Sequence, residues 1–588
     1  MWGCFAIVAS GAAIAVIDHG MWAAERGSMT NRLWCALGMG LLLGGCATDS
    51  SEPAVDTDQE ALASAKDTRP NILLLVADDL GYSDIGAFGG EIHTPNLDRL
   101  ALAGRVLTDH HSAPTCSPTR ASLISGTDHH LAGLGTMAEL LLPEQQGKPG
   151  YEGYLNQRSL SIAELLKDGG YHTYVAGKWH LGLTQEKSAA AWGFESSFTL
   201  QQGASSHFAP DPARLTAADA NAVFRENGVQ TTVPSDFYST DFYTDKLLSY
   251  FAAHEGDGKP FFAFAAYTSP HWPLQAPEAY LDRYRGRYDA GYEAIRQKRI
   301  AKQKLLGVIP LDARPSEPLP STPDNPRWDE LTPEQKRVEA RRMEIYAAMV
   351  ENLDHNIGRL IAYLERTGQL DNTFIFFQSD NGAEGGGSFP TTPTNDDSYE
   401  NLGRRYSNVA YGKRWAEVGA TPFRLWKAFS TEGGVVVPAI AHLPKQRLPR
   451  FSYHGLTHVS DLAPTFLELA GAKDPGTSYR GRAVNPITGK SILPRLESRA
   501  WEVHPAGTVL AEELFGRRYV RRDQWKLLFV EAPWGKGDWV LYDLENDRAE
   551  STDVSAQHPE IVSELRAEWD AYVARVGVVL PNTPGLNR

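Results

Sequence analysis

The chain is short of cysteine, of surplus positive charge and of long hydrophobic runs, and each shortage excludes something. Four cysteines in 588 residues (Cys4, Cys35, Cys46 and Cys116) are too few for a disulfide scaffold. Lys and Arg number 57 against 72 Asp and Glu, a formal net charge of −15, which argues against a nucleic-acid binder. No succession of membrane-length apolar segments marks a polytopic membrane protein, and 42% hydrophobic with 22% charged residues excludes a disordered or collagen-like chain. Aromatic residues, in contrast, are plentiful: 14 Trp, 23 Tyr and 22 Phe suffice for large cores and aromatic-lined ligand surfaces. The length points to roughly two to four domains in a soluble α/β-type protein, and an enzyme is the expected class.

The first 45 residues read as an address. Met1 to Val16 is apolar but carries no leading positive charge and is short for a membrane span. A better export signal begins at Met29, a candidate true start: Arg32 supplies the positive region, Leu33 to Leu43 the apolar one, and Leu43-Gly44-Gly45-Cys46 resembles a bacterial lipobox. Cleavage before Cys46 would leave a lipid-anchored, periplasmic protein, with Ala47 favouring the outer membrane; a chance Cys after small residues is the alternative. Such cleavage removes Asp18, Glu25, Arg26 and Arg32, so the net charge stays at −15, and Cys116 is left without a partner. Residues 46–69 then form a polar tether.

From Pro70 the pattern alternates strands with helices, the signature of a largely parallel sheet. Continuous apolar runs at Asn71–Ala77, Tyr171–Ala176, Pro260–Thr268 and Thr373–Ser379 read as strands buried on both faces. Thr94 and Pro95 predict a helix start as N-cap and N1, with the helix running to Gly104. Residues 285–335, with a basic helical stretch and a Pro-rich loop from Pro310 to Pro326, read as a surface insertion in a catalytic domain spanning 70–475. A long amphipathic helix follows from Thr332-Pro333 to about Arg366. Residues 476–588 predict a smaller α+β domain: Arg518–Val530 and Asp538–Leu541 alternate like antiparallel strands, and a last helix covers about Pro559 to Val576.

Two buried strands run into oxygen ligands, Asp78-Asp79 and Asp380-Asn381. Ligands sit beyond the carboxyl ends of strands in open α/β sheets, so these four side chains are candidates for one divalent cation. Carboxylates and an amide oxygen without thiolates suit Ca²⁺ or Mg²⁺ better than zinc, and Ca²⁺ is the expectation. Each pair alone reads more readily as an ordinary Asp turn or Asn-Gly turn at a strand end, and it is the two together that suggest a ligand set. A third element is Cys116-Ser117-Pro118-Thr119-Arg120. Pro118 predicts a helix that starts there and stops at Gly126, placing residues 116 and 120 on one face near its positive end, where an anion binds well.

Cys-x-Pro-x-Arg resembles the maturation signature of the type I, formylglycine-dependent sulfatases of the alkaline phosphatase superfamily, and the bacterial arylsulfatase branch is the most similar. Further segments match in family order: Gly177-Lys178-Trp179-His180-Leu181-Gly182, Ser269-Pro270-His271-Trp272-Pro273, and Phe423 to Lys427 before Thr431-Glu432-Gly433-Gly434. The resemblance covers about Arg69 to Val576. It implies an alkaline-phosphatase-like fold, a large mixed and mostly parallel sheet flanked by helices, plus a C-terminal domain with an antiparallel sheet. It also implies oxidation of Cys116 to formylglycine by a separate formylglycine-generating enzyme. The hydrated aldehyde would attack the sulfur of a sulfate ester, giving an alcohol or phenol and sulfate. By resemblance, Lys178 contacts sulfate, His180 binds the formylglycine hydroxyl and assists elimination, and His271 and Lys427 serve the leaving oxygen. Arg120 completes the catalytic set, and Asp380 is a candidate base for the hydrate. Some family members add a Ser after the Lys-Trp-His segment; Ser206 is the nearest here and is left unassigned. A phosphonate or phosphate ester hydrolase with the same signature, and an inactive lipoprotein binding sulfated glycans, are the alternatives.

Overall fold

Residues 67–220, 222–387, 390–444 and 451–585 are described by a computed structural model; the expected export signal, Cys46 and most of the tether lie outside them. Strand β1 (Asn71–Ala77) is buried along its whole length. It is followed by β2 (Arg105–His111), β3 (His172–Lys178), β4 (Ser196–Leu200), β5 (Phe224–Glu226) and β6 (Val229–Thr231). Next come β7 (Phe261–Ala266), β8 (Thr373–Ser379), β9 (Val436–His442), β10 (Phe451–Tyr453) and β11 (Thr457–His458). They form one sheet of 11 strands in the order β10-β2-β9-β8-β1-β7-β3-β4-β5-β6, with β11 beside β2. Strands β8, β1, β7, β3 and β4 run parallel, β9 is antiparallel to both its neighbours, and β5 and β6 close one side antiparallel.

Alternation along β1 shows why its sequence is apolar without a polar face. Leu73, Leu75 and Ala77 join the core on one side of the sheet, and Ile72, Leu74 and Val76 join the core on the other. A short hairpin of β12 (Ser478–Tyr479) and β13 (Arg482–Ala483) precedes a second sheet. That sheet is antiparallel, with β14 (Val509–Leu514), β15 (Arg517–Arg522), β16 (Trp525–Phe529) and β17 (Trp539–Asp543) in sequence order. Val520, Leu527 and Leu541 pack there against Leu565, Trp569 and Tyr572 of the helix Pro559–Val576.

Local structure departs from expectation at two places and meets it at a third. Thr94 precedes the helix Pro95–Ala103, but its hydroxyl does not cap it: it accepts from Gly86 N (2.8 Å) and faces Asp98 Oδ1 (3.3 Å). The helix expected at Cys116-Ser117-Pro118-Thr119-Arg120 is there, running Cys116–Ser125 and stopping at Gly126 as its left-handed C-cap, with the proline in the first turn, where no intrahelical N–H bond is lost. The basic stretch is not simply a surface insertion. In the helix Gly291–Leu306, Lys298 faces solvent, but Arg299 is fully buried against Asp84 and Glu91, carboxylates that follow β1 and need a counter-charge.

Candidate active site

Parallel pairing of β1 with β8 sets Ala77 opposite Ser379, so the next residues of both strands leave the sheet side by side. Asp380 N donates to Ala77 O (3.0 Å), and Asn381 Nδ2 donates to Asp79 Oδ1 (2.7 Å). Asp78, Asp380 and Asn381 have no exposed surface, and Asp79 has 1%. Asp79 adopts a left-handed φ of 65°, an unusual conformation for a residue with a side chain, which turns its carboxylate into the cluster.

Three cations answer these carboxylates. Lys178, at the end of β3, places Nζ 3.0 and 2.7 Å from the two Asp78 oxygens. Arg120, one helical turn beyond Cys116, donates from Nε to Asp380 Oδ2 (2.9 Å) and from Nη1 to Lys178 O (2.9 Å). Lys427 Nζ lies 2.9 Å from Asp79 Oδ2, 3.1 Å from Glu384 Oε2 and 3.4 Å from His271 Nε2. Arg120 therefore does not hold its fork open for an anion; its guanidinium is engaged by Asp380 and by backbone carbonyls. The Cys116 thiol, the free cysteine among the described residues, sits 3.5 Å from Asp78 Oδ1 and 3.9 Å from Asp79 Oδ1.

The glycines of the matching segments let backbone close around this cluster. Gly177 has φ 126°, and a Cβ there would stand 1.8 Å from Ala266 O of the neighbouring strand. At Gly382 a Cβ would lie 2.1 Å from Gly433 O, so Asp380-Asn381-Gly382 can nest against Thr431-Glu432-Gly433-Gly434 only without one.

A cavity of about 740 Å³ opens above the cluster. Cys116, His180, His271 and Lys427 line it, while Arg120 and Lys178 lie beneath, fully buried. Its walls are mainly apolar, with Trp272, Trp426, Trp534, Phe429, Phe515 and Leu140. Of the expected residues, all ten thus gather in one region. Ser206 does not: its hydroxyl donates to Gln275 Oε1 (3.0 Å), away from the cavity lining.

The electrostatics are those of a buried ionic cluster. Burial raises the Cys116 thiol well above its ordinary value. Burial also raises Asp380, and the adjacent Asp78 charge pushes the same way. For Asp79 burial works in that direction too, but His271, Lys427 and Lys178 outweigh it and hold the carboxyl low. Burial pushes the His271 imidazole down to about 3. His271 Nδ1 is 2.6 Å from Trp272 O, which fixes the proton on that nitrogen and leaves Nε2 as the acceptor facing Lys427.

The donor set fits a hard divalent cation. Three converging carboxylates are accompanied by Asn381 Oδ1, a buried oxygen without a hydrogen-bond partner among the described residues. Asp78, Asp79, Cys116 and His271 also bring one ligand atom each within 4.8 Å of one another. Two acidic residues escaped the sequence reading. Glu384 lies three residues after Asn381 and could have been found from that proximity. Glu139 lies on a short turn (Ala138–Leu140) in a segment with no motif, and only the fold brings it to His180, 3.1 Å away.

Comparison with known proteins agrees with this geometry. The sulfatase family profile matches residues 70–472. An uncharacterised sulfatase of Schizosaccharomyces pombe is 42% identical over 541 residues, covering 88% of this chain and 95% of the relative. An arylsulfatase of Klebsiella aerogenes is 38% identical over 442 residues, covering 73% and 92%. The crystal structure of Ps i-CgsB shares the fold, with TM-score 0.60 and 25% identity over 86% of this chain and 92% of that one. The chain belongs to the sulfatase family of the alkaline phosphatase superfamily, enzymes that hydrolyse sulfate esters.

Proposed function

We propose that the protein is an arylsulfatase whose nucleophile derives from Cys116. The observation that carries this reading is the position of Cys116: at the floor of an apolar, aromatic-walled cavity, directly against two of the clustered carboxylates. The likeness to the Klebsiella aerogenes arylsulfatase supports the same substrate class. Asp78, Asp79, Asp380 and Asn381 would hold one divalent cation, Ca²⁺ by preference, which when bound supplies positive charge to the reacting oxygens. Oxidised to formylglycine, as the family implies, residue 116 supplies a hydrated aldehyde as nucleophile.

The remaining residues act on charge and protons. Arg120 and Lys178 hold Asp380 and Asp78 in place and contribute positive potential from below the cavity floor. Lys427 faces the cavity and would stabilise the leaving oxygen, with His271 Nε2 accepting from its ammonium and orienting it, while His180 would serve the residue 116 hydroxyl. Trp272, Trp426 and Phe429 offer apolar surface to an aromatic leaving group.

The balance of charge suits a sulfate better than a phosphate ester. Asp78, Asp79, Asp380, Glu384 and Glu139 are five carboxylates set against Arg120, Lys178 and Lys427, and a divalent cation brings the sum to about zero. A site with so little surplus positive charge is better matched to the single negative charge of a sulfate monoester than to a phosphate monoester dianion.

The test is hydrolysis of nitrophenyl sulfate beside nitrophenyl phosphate by protein coexpressed with a formylglycine-generating enzyme and supplied with Ca²⁺. Preferential sulfate release that disappears in Cys116→Ala supports the reading. Preferential phosphate release, or sulfate release that survives the substitution, overturns it.

A further inference from the structure

Glu139 is the acidic residue of the cavity wall that the reaction scheme does not yet use. It stands on the turn Ala138–Leu140, in the segment between the helices Cys116–Ser125 and Ile162–Asp168, with about half of its side chain open (49%). Both carboxylate oxygens face the same ring nitrogen: His180 Nε2 is 3.1 Å from Oε1 and 3.4 Å from Oε2. His180 Nδ1, in contrast, is buried and has no hydrogen-bond partner among the described residues.

The ring's position is built rather than incidental. His180 follows Lys178 at the end of β3 with a left-handed φ of 55°, a conformation costly for a residue with a side chain. Gly203 leaves the space in which the ring lies: a Cβ there would be 2.5 Å from His180 Cε1, 2.8 Å from Nε2 and 3.2 Å from Glu139 Oε1. His180 and Glu139 thus share one seat, and both line the cavity that contains Cys116.

An imidazole with one nitrogen on a carboxylate has its tautomer set by that contact. A carboxylate only accepts, so Nε2 must carry the proton, and Nδ1 keeps the lone pair. We propose that Glu139 is the positioning residue of the reaction: it holds His180 as the Nε2–H tautomer, so that Nδ1 serves as the proton acceptor, and it stabilises the imidazolium that results. This rests on the sulfatase reading above. When sulfate leaves residue 116, the remaining hydroxyl gives its proton to Nδ1 and its O–H electron pair forms the C=O bond. The electron pair of the breaking C–O bond departs with sulfate. The positive charge that appears on the ring then lies directly against Glu139.

Two measurements test the pair, one of them independent of turnover. In full-length protein with unconverted Cys116, the ¹⁵N shifts of the His180 ring should report the Nε2–H tautomer, and Glu139→Ala should give a mixture of tautomers. In matured protein, Glu139→Gln keeps a hydrogen-bond acceptor but loses the charge. It should lower kcat for nitrophenyl sulfate by about 10- to 100-fold, with KM changed less than about 3-fold and the acidic limb of the pH profile displaced to lower pH. Glu139→Asp should recover part of the loss. Because the turn is half open, the thermal midpoint of each variant should match the parent protein. An Nδ1–H tautomer in the parent protein, an effect on KM alone, or an unchanged kcat would each overturn the proposal. If the parent protein does not cleave sulfate esters at all, the sulfatase reading fails, while the ring-nitrogen shifts still decide whether Glu139 sets the tautomer.

Discussion

Lys427 is the side chain on which three parts of the site converge. Its ammonium touches Asp79, Glu384 and His271 at once, and burial opposes its charge, yet the Asp79 carboxylate outweighs that cost and keeps the group protonated. A cation held in a water-poor pocket at the position of developing negative charge is worth more than the same charge in water. Lys427→Ala should therefore lower kcat by about 10²- to 10³-fold, or about 3–4 kcal/mol of transition-state stabilisation. Steady-state kinetics of matured protein on nitrophenyl sulfate measures this directly, and an unchanged kcat in a folded variant would remove Lys427 from the mechanism. The alanine also leaves Asp79 with one cation fewer, so the metal should bind at least as tightly as in the parent protein. Raising Ca²⁺ should therefore not recover the lost activity.

At the scale of elements, the buried ion pairs show how the second sheet is fastened to the first. Lys526, in β16, is fully buried between Glu432 Oε1 and Glu550 Oε1, both 2.8 Å away. Glu432 opens the turn that leads into β9, a few residues after Lys427. Arg521 of β15 and Arg548 reach Asp109 of β2 at 2.8 and 2.7 Å. Removing the cation strands two carboxylates, so Lys526→Met should destabilise the protein by about 3–5 kcal/mol. Adding Glu432→Gln should return part of that loss. Apparent unfolding midpoints in urea give the comparison, and equal midpoints for Lys526→Met and the parent protein would show that the pair is not a fastening.

The elements were also the level at which the sequence spoke most clearly. Strands buried on both faces leave a continuous apolar signal, which is why β1 and β8 were legible and why Asp78 and Asp380 stood out at their ends. The shift from Tyr171–Ala176 to His172–Lys178 has a physical cause: pairing with β4 and β7 carries the strand on through Gly177 and Lys178, polar or small residues that no periodicity would include. Glu139 and Arg299 were illegible for a related reason. Their roles depend on partners supplied by distant segments, His180 for one, Asp84 and Glu91 for the other. Nothing local distinguishes them from solvated charges.

For the molecule as a whole, the same junction carries a pH dependence. His130 has no exposed surface; its Nδ1 is 3.2 Å from Asp128 Oδ1, and its Nε2 is 3.3 Å from Glu513 Oε2 in β14. Tyr572 of the final helix bonds Asp128 and approaches the same ring, with His129 and Tyr151 packed beside it. Burial opposes the imidazolium, but Asp128 and Glu513 prevail and raise His130 to about 9. An unfolded histidine titrates near 6.5. The folded state therefore binds a proton that the unfolded state releases between those values. The stabilisation is complete below about pH 6.5 and fades as pH rises through 9, by an amount on the order of 3 kcal/mol. Asp128 has the opposite limb: the His130 side chain holds its carboxyl low against burial, so its contribution is lost only in acid, below its unfolded value. His130→Gln should consequently unfold at a lower temperature than the parent protein at pH 6.5, and the gap between the two should narrow steadily toward pH 9.5. The difference between the two profiles isolates this group from the Lys and Tyr residues that titrate in the same alkaline range. A gap that stays constant across that window would mean that His130 is held neutral, and that the two sheets are joined there by packing and neutral hydrogen bonds rather than by charge.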